Sequence, residues 1–124
     1  MLDRGMRVFG VDSRDMDESI LRHDSGAFRH IRTQLARVDP EKLPREIDMI
    51  FCDVNASPLL VLPDLERLQK AVRAPKVIAI LKMNSPALEA QLEDFVSFIR
   101  SFSPAPVHVT QLPSQRREVC VTAG

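Results

Sequence analysis

Glycine is scarce in this chain and never clustered: four residues, at positions 5, 10, 26 and 124, in a sequence of 124. No GxGxxG-like loop exists among them, which excludes a glycine-rich cradle for a cofactor within these residues. Neither sign of charge is in excess, with Lys+Arg and Asp+Glu at 17 each. Proteins that coat nucleic acid are usually clearly basic, so any such contact here must be local. The histidines, His23, His30 and His108, have no metal-ligand spacing, which argues against zinc. Cys52 and Cys120 form no CxxC pair and fall in apolar runs, the pattern of small buried hydrophobes in a reduced, cytoplasmic protein. No run approaches the roughly 18 apolar residues of a membrane span, and the first residues lack the apolar core of a signal peptide. Repeats, low-complexity tracts and linkers are also missing. The remaining composition, 44% hydrophobic and 27% charged, is that of one ordinary globular domain or a piece of one.

Apolar runs and helical stripes alternate along the sequence. "MRVFGVD" (6–12) reads as a buried strand ending on Asp12, "DMDESILRH" (15–23) as a short helix, and "AFRHIRT" (27–33) as an alternating strand. "DPEKLPRE" (39–46) is a polar connection with room for one helical turn. "IDMIFCDV" (47–54) is the clearest central strand. A helix follows over 62–74, with Leu65, Leu68 and Val72 on one face and Pro63 in its first turn. "KVIAILKM" (76–83) is another continuous apolar strand. The longest helix is expected over 86–102, where Leu88, Leu92, Phe95, Ile99 and Phe102 make a core-facing stripe. Two strands, 106–112 and 118–124, close the chain. Their connection is too short for a parallel crossover, so they pair as an antiparallel hairpin. Strands alternating with helices define an α/β fold with a mostly parallel sheet.

Chemistry concentrates at strand ends. "EIDMIFCDVNASP" (46–58) runs an apolar strand into Asp53, and open α/β sheets bind ligands at the carboxyl ends of their strands. Lys82 closes the strand of 76–83, and Glu118 opens the last strand after Arg116 and Arg117. Each has a plainer reading: Asp12 a strand-end cap, Asp53 an Asx-turn, Lys82 a surface lysine, Glu118 a partner for Arg116 or Arg117.

Two families resemble this pattern. The length, Asp12 and "FCDVNASP" resemble a response-regulator receiver domain, which would make Asp53 a phosphoryl acceptor. That family expects adjacent acids after the first strand, a Ser or Thr closing the fourth, a lysine on the fifth and a terminal helix. The sequence has Asp12 followed by Ser13 and Arg14, then Leu81 and Lys82, then "VHVTQLP" and a final strand.

"CDVNASP", "ILKMN" and "RREVCVTA" in this order resemble FtsJ-like ribosomal RNA ribose 2′-O-methyltransferases, and the likeness covers nearly the whole chain. It implies a Rossmann-like three-layer sandwich with strand order 3-2-1-4-5-7-6 and S-adenosyl-L-methionine as cofactor. Lys82, Asp53 and Glu118 would be catalytic. Asp12, Gln34 and Asp53 would touch the cofactor, and Arg116 and Arg117 would touch structured RNA. The family's first strand, its glycine-rich loop and a second lysine have no counterpart in residues 1–124. The expectation is therefore a single partial domain, truncated at its amino end, inactive alone and completed by an upstream segment or a second chain.

Overall fold

A computed structural model describes residues 5–14, 18, 27–111 and 117–124. They form two compact units, residues 1–43 and 44–124. In the first, β1 (Val8–Val11) and β2 (Phe28–Ile31) pair in parallel, Val8 opposite Phe28 and Val11 opposite Ile31. Parallel neighbours bring both carboxyl ends to one edge, so Asp12 and the residues after Ile31 emerge on the same side. The helix expected over 15–23 lies, apart from Glu18, outside the described residues. Two 3₁₀ turns follow, Leu35–Arg37 and Pro40–Lys42. The second is the single turn expected in the polar connection, capped by the Asp39 side chain on the Glu41 amide.

The second unit holds a four-stranded sheet in the order β3-β4-β6-β5, built from Met49–Cys52, Lys76–Lys82, Glu118–Ala123 and Val107–Gln111 respectively. β3 and β4 run parallel, while β6 runs antiparallel to both β4 and β5. The closing hairpin forms as expected. This sheet as a whole is mixed, because β6 inserts between β4 and β5 with its direction reversed. The expectation of one sheet carrying Asp12, Asp53 and Lys82 is also corrected: β1 and β2 form a separate two-stranded sheet. The strand expected to be central, β3, is an edge strand among the described residues, and its Phe51 is 51% exposed.

Helix α1 (Pro58–Val72) begins four residues earlier than its apolar stripe suggests. The Ser57 hydroxyl accepts the Leu59 amide and Pro58 takes the first helical position, so Pro63 lies inside the helix and not in its first turn. The helix expected over 86–102 is broken into α2 (Pro86–Glu89) and α3 (Leu92–Phe102). At the break the Gln91 amide bonds Leu88 and its side-chain amide bonds Ala87, a tightened turn that interrupts the α-helical ladder. α1 is consequently the longest helix among the described residues.

The core follows the alternation of the strands. Val77, Ala79 and Leu81 of β4 and Val119, Val121 and Ala123 of β6 are buried, as are Leu65 and Leu68 of α1 and Phe95 and Ile99 of α3. Leu65, Ile99, Val77 and Val121 are each 1% exposed, and each stabilises the fold by about 1.5–3 kcal/mol of transfer free energy. The alternate residues of β4, including Lys82, face the other side of the sheet. No helix among the described residues is long and apolar enough to cross a membrane.

Candidate active site

Strand register builds the site. Lys82 is the last residue of β4, and the antiparallel β4–β6 pair places it directly opposite Glu118, the first residue of β6. Opposed residues share a face, so their side chains meet without any long reach. Asp53 follows β3, whose Cys52 is level with Ala79 of β4, and alternation puts Asp53 on the same face as Lys82. The Lys82 ammonium donates to Asp53 Oδ1 at 2.8 Å and to Glu118 Oε1 at 2.5 Å. Side-chain exposure is 12% for Lys82, 19% for Glu118 and 48% for Asp53, so the clamp is closed on one side and open to solvent at Asp53.

The clamp holds a charge. The Asp53 carboxylate, then that of Glu118, raise the Lys82 pKa above its ordinary value, against the opposing effect of burial. At neutral pH Lys82 is an ammonium, and the three groups together carry one net negative charge. Lys82 is mostly covered and paired with Asp53 and Glu118, so it is not an ordinary surface lysine. Behind the clamp, the Met83 amide donates to the Arg117 carbonyl at 2.7 Å, tying the start of β6 to the end of β4. Arg117 is exposed, and Arg116 lies outside the described residues. Cys52, next to Asp53, is buried and its thiol is pushed up to about 11 by desolvation, so it is inert as a nucleophile.

Asp12 and Gln34 belong to the first unit. Asp12 Oδ1 accepts the Arg14 amide at 2.8 Å, the bond that chiefly holds its carboxyl below the usual range. The capping role expected of a strand-end acid is thus present, and Oδ2 is left for a further donor. His30, which sequence reasoning weighed only as a metal ligand, lies behind it: Nε2 donates to the Asp12 carbonyl at 3.0 Å. The signal was available, because His30 alternates with Arg29 and Ile31 in a strand read as half-buried. Gln34 is exposed and precedes the first 3₁₀ turn, with its side chain making no capping bond.

The topology does not favour the receiver reading. After residue 106 the chain forms two antiparallel strands where a receiver needs a terminal helix. The strand next to β4 on that side, β6, runs antiparallel to it.

No protein-family model matches the sequence, and no curated protein matches it. Solved structures similar in fold include two methyltransferases. One is the Burkholderia thailandensis 1,6-didemethyltoxoflavin-N1-methyltransferase, determined with 1,6-didemethyltoxoflavin and S-adenosylhomocysteine bound. The match has a TM-score of 0.67 and 17% identity, covering 98% of this chain and 62% of that one. The other is the S-adenosylmethionine-dependent methyltransferase SibL in its apo form, at a TM-score of 0.58 and 16% identity over 94% of this chain and 42% of that one. The chain therefore has an α/β fold similar to that of S-adenosylmethionine-dependent methyltransferases, and it spans less than two thirds of the length of either.

Proposed function

We propose that the chain is the carboxyl-terminal part of an S-adenosylmethionine-dependent methyltransferase that modifies a ribose 2′-hydroxyl of structured RNA, of ribosomal type. The observation that carries this reading is the clamp of Asp53 and Glu118 on Lys82 at the carboxyl end of β4. A ribose hydroxyl is a poor nucleophile unless a positioned group takes its proton. Lys82 has the position: a strand end, low exposure and two fixed partners that aim Nζ.

Lys82 accepts the hydroxyl proton at Nζ only after losing its own, which the raised pKa opposes. A second cation beside Asp53 and Glu118 would draw on the clamp's excess negative charge and ease that loss. The resemblance implies a lysine for this purpose, supplied with the first strand and glycine-rich loop. The edge position of β3 among the described residues and its exposed Phe51 support completion by such a segment, carried upstream or by a second chain.

The residues present fit one end of the cofactor. Asp12 Oδ2 is suited to accept from ribose hydroxyls, and Gln34, after β2, is suited to the adenine. Asp53, half exposed beside Lys82, stands between donor and acceptor in this reading. The sequence has no glycine-rich loop to hold the methionine carboxylate. When bound, the cofactor supplies a methyl group activated by its sulfonium, and the protein's part is in-line positioning. Arg116 and Arg117 are assigned to the RNA backbone, and a cytoplasmic setting is part of the same proposal.

The test joins this chain to a segment that carries the glycine-rich loop and assays transfer of labelled methyl to ribosomal RNA. Product should appear as a 2′-O-methyl ribose. Lys82→Ala should lower turnover by about 10²- to 10⁴-fold with cofactor binding nearly intact. Lys82→Arg should rescue little, because a guanidinium cannot take the proton. Full activity in Lys82→Ala would end the assignment. The fold likeness to a toxoflavin-type enzyme supports a second reading, a small heterocycle as acceptor, and label on 1,6-didemethyltoxoflavin with none on RNA would favour it.

A further inference from the structure

Asp12 is held at its amide, its carbonyl and its side chain together. Its N–H donates to the Ile31 carbonyl at 3.3 Å, its carbonyl accepts from His30 Nε2 at 3.0 Å, and Oδ1 accepts the Arg14 amide at 2.8 Å. The Arg14 guanidinium adds a longer contact of 3.5 Å, and that contact also falls on Oδ1. Both donors converge on one carboxylate oxygen. Among the described residues Oδ2 accepts from none.

The bond from His30 follows from strand register. His30 of β2 lies opposite Gly10 of β1, so the two share a face, and Asp12, two residues further on, shares it as well. Two residues of strand span about 6–7 Å, a distance an imidazole covers by leaning along the strand. Gly10 has no side chain to contest that path. A carbonyl only accepts, so the proton is on His30 Nε2.

This bond acts on the peptide that joins Asp12 to Ser13. The orientation of that peptide decides where the Arg14 N–H points, and so which oxygen of Asp12 closes the turn. With the Asp12 carbonyl fixed by His30, the Arg14 amide is aimed back at Oδ1. Oδ2 stays open on a side chain that is 38% exposed.

We propose that His30 is a positioning residue for the adenosine end of the cofactor: it fixes the Asp12 peptide so that Oδ2 is presented to a ribose hydroxyl. This rests on the reading of Asp12 as the ribose contact. An acceptor already oriented loses less freedom when a hydroxyl binds, so His30 contributes to affinity without touching the ligand. Its effect is confined to ligands that carry the hydroxyls.

The test is a chemical-shift titration of the full chain with adenosine and with 2′,3′-dideoxyadenosine, which lacks both ribose hydroxyls. The wild-type chain should bind adenosine about tenfold tighter than the dideoxy probe, since a hydroxyl on a carboxylate makes a charge-assisted bond. His30→Phe keeps a flat ring and loses the donor. It should cut the preference to about twofold by weakening adenosine alone, with the dideoxy probe bound as before. His30→Gln, whose side-chain N–H reaches about as far, should restore most of the preference. Without ligand, the Asp12 carbonyl carbon and the Arg14 amide should shift in His30→Phe and stay near wild type in His30→Gln. A ring that only packs would give the opposite order, with Phe harmless and Gln harmful. If the Phe variant does not fold, His30→Asn, too short to reach the carbonyl, takes its place with the same expectation. Full preference in the donor-less variant, or equal loss in it and in His30→Gln, overturns the positioning role and leaves Asp12 as the ribose contact. No binding or no preference in the wild-type chain overturns both.

Discussion

Lys82 holds the clamp together and, in the proposed function, carries its chemistry. Its ammonium is shared by two carboxylates that would otherwise repel each other, so removing it harms more than one contact. Lys82→Met should destabilise the fold by about 1–2 kcal/mol, less than a fully buried pair because Asp53 is half exposed. The pH dependence has a definite sign. The folded-state pKa of Lys82 is raised, so the clamp's contribution is complete below the ordinary lysine value of 10.5 and is lost as pH climbs through the folded value. Urea denaturation at a series of pH values should show an alkaline loss of stability that is smaller in Lys82→Met. An alkaline limb identical in the two proteins would mean that the clamp does not form in solution. The same shift sets an expectation for the completed enzyme: Lys82 stays an ammonium through the neutral range, so turnover should keep rising with pH into the alkaline range, in proportion to its small amine fraction.

At the scale of elements, α1 carries a proline where helices rarely tolerate one. Pro63 is the sixth residue of the helix and cannot donate to the Leu59 carbonyl, and it is solvent-exposed, so it contributes little packing. Pro63→Ala should raise stability by about 1–2 kcal/mol, the interior penalty of proline less the entropy it removes from the unfolded chain. A fall in Tm would show that the ring packs in a way its exposure does not suggest. Ser57→Ala should act in the opposite direction, by about 1 kcal/mol, since it removes the cap on the Leu59 amide. These two residues also show why the helix was only partly legible. Leu65, Leu68 and Val72 announce the buried face, but Ser57 and Pro58 lie within a string that reads as a turn. The break between α2 and α3 was hidden for a related reason. The stripe from Leu88 to Phe102 keeps helical spacing through Gln91, and only the local bonds of that residue reveal the interruption.

At the scale of the molecule, the closing hairpin was legible because "PSQRR" is short, whereas the position of β6 between β4 and β5 was not, because sheet order is a long-range choice. Lys82 and Glu118 are 36 residues apart and meet through that order alone. The edge position of β3 bears most directly on what the chain can do alone. A cofactor the size of S-adenosylmethionine needs both of its ends held. In the proposed reading Asp12 and Gln34 would contact the adenosine end, and the four glycines at 5, 10, 26 and 124 offer no glycine-rich loop for the carboxylate end. With one end held, affinity should be weaker than about 1 mM, roughly 4 kcal/mol of binding free energy. Calorimetry of residues 1–124 with S-adenosylhomocysteine should therefore give no measurable heat at micromolar concentrations, and adding a chain that carries the glycine-rich loop should bring the affinity into the micromolar range. Asp12→Ala should then weaken binding about tenfold in the completed protein, because a ribose hydroxyl loses its charged acceptor. Micromolar binding by the chain alone would show that residues 1–124 hold both ends of the cofactor by a route other than a glycine-rich loop.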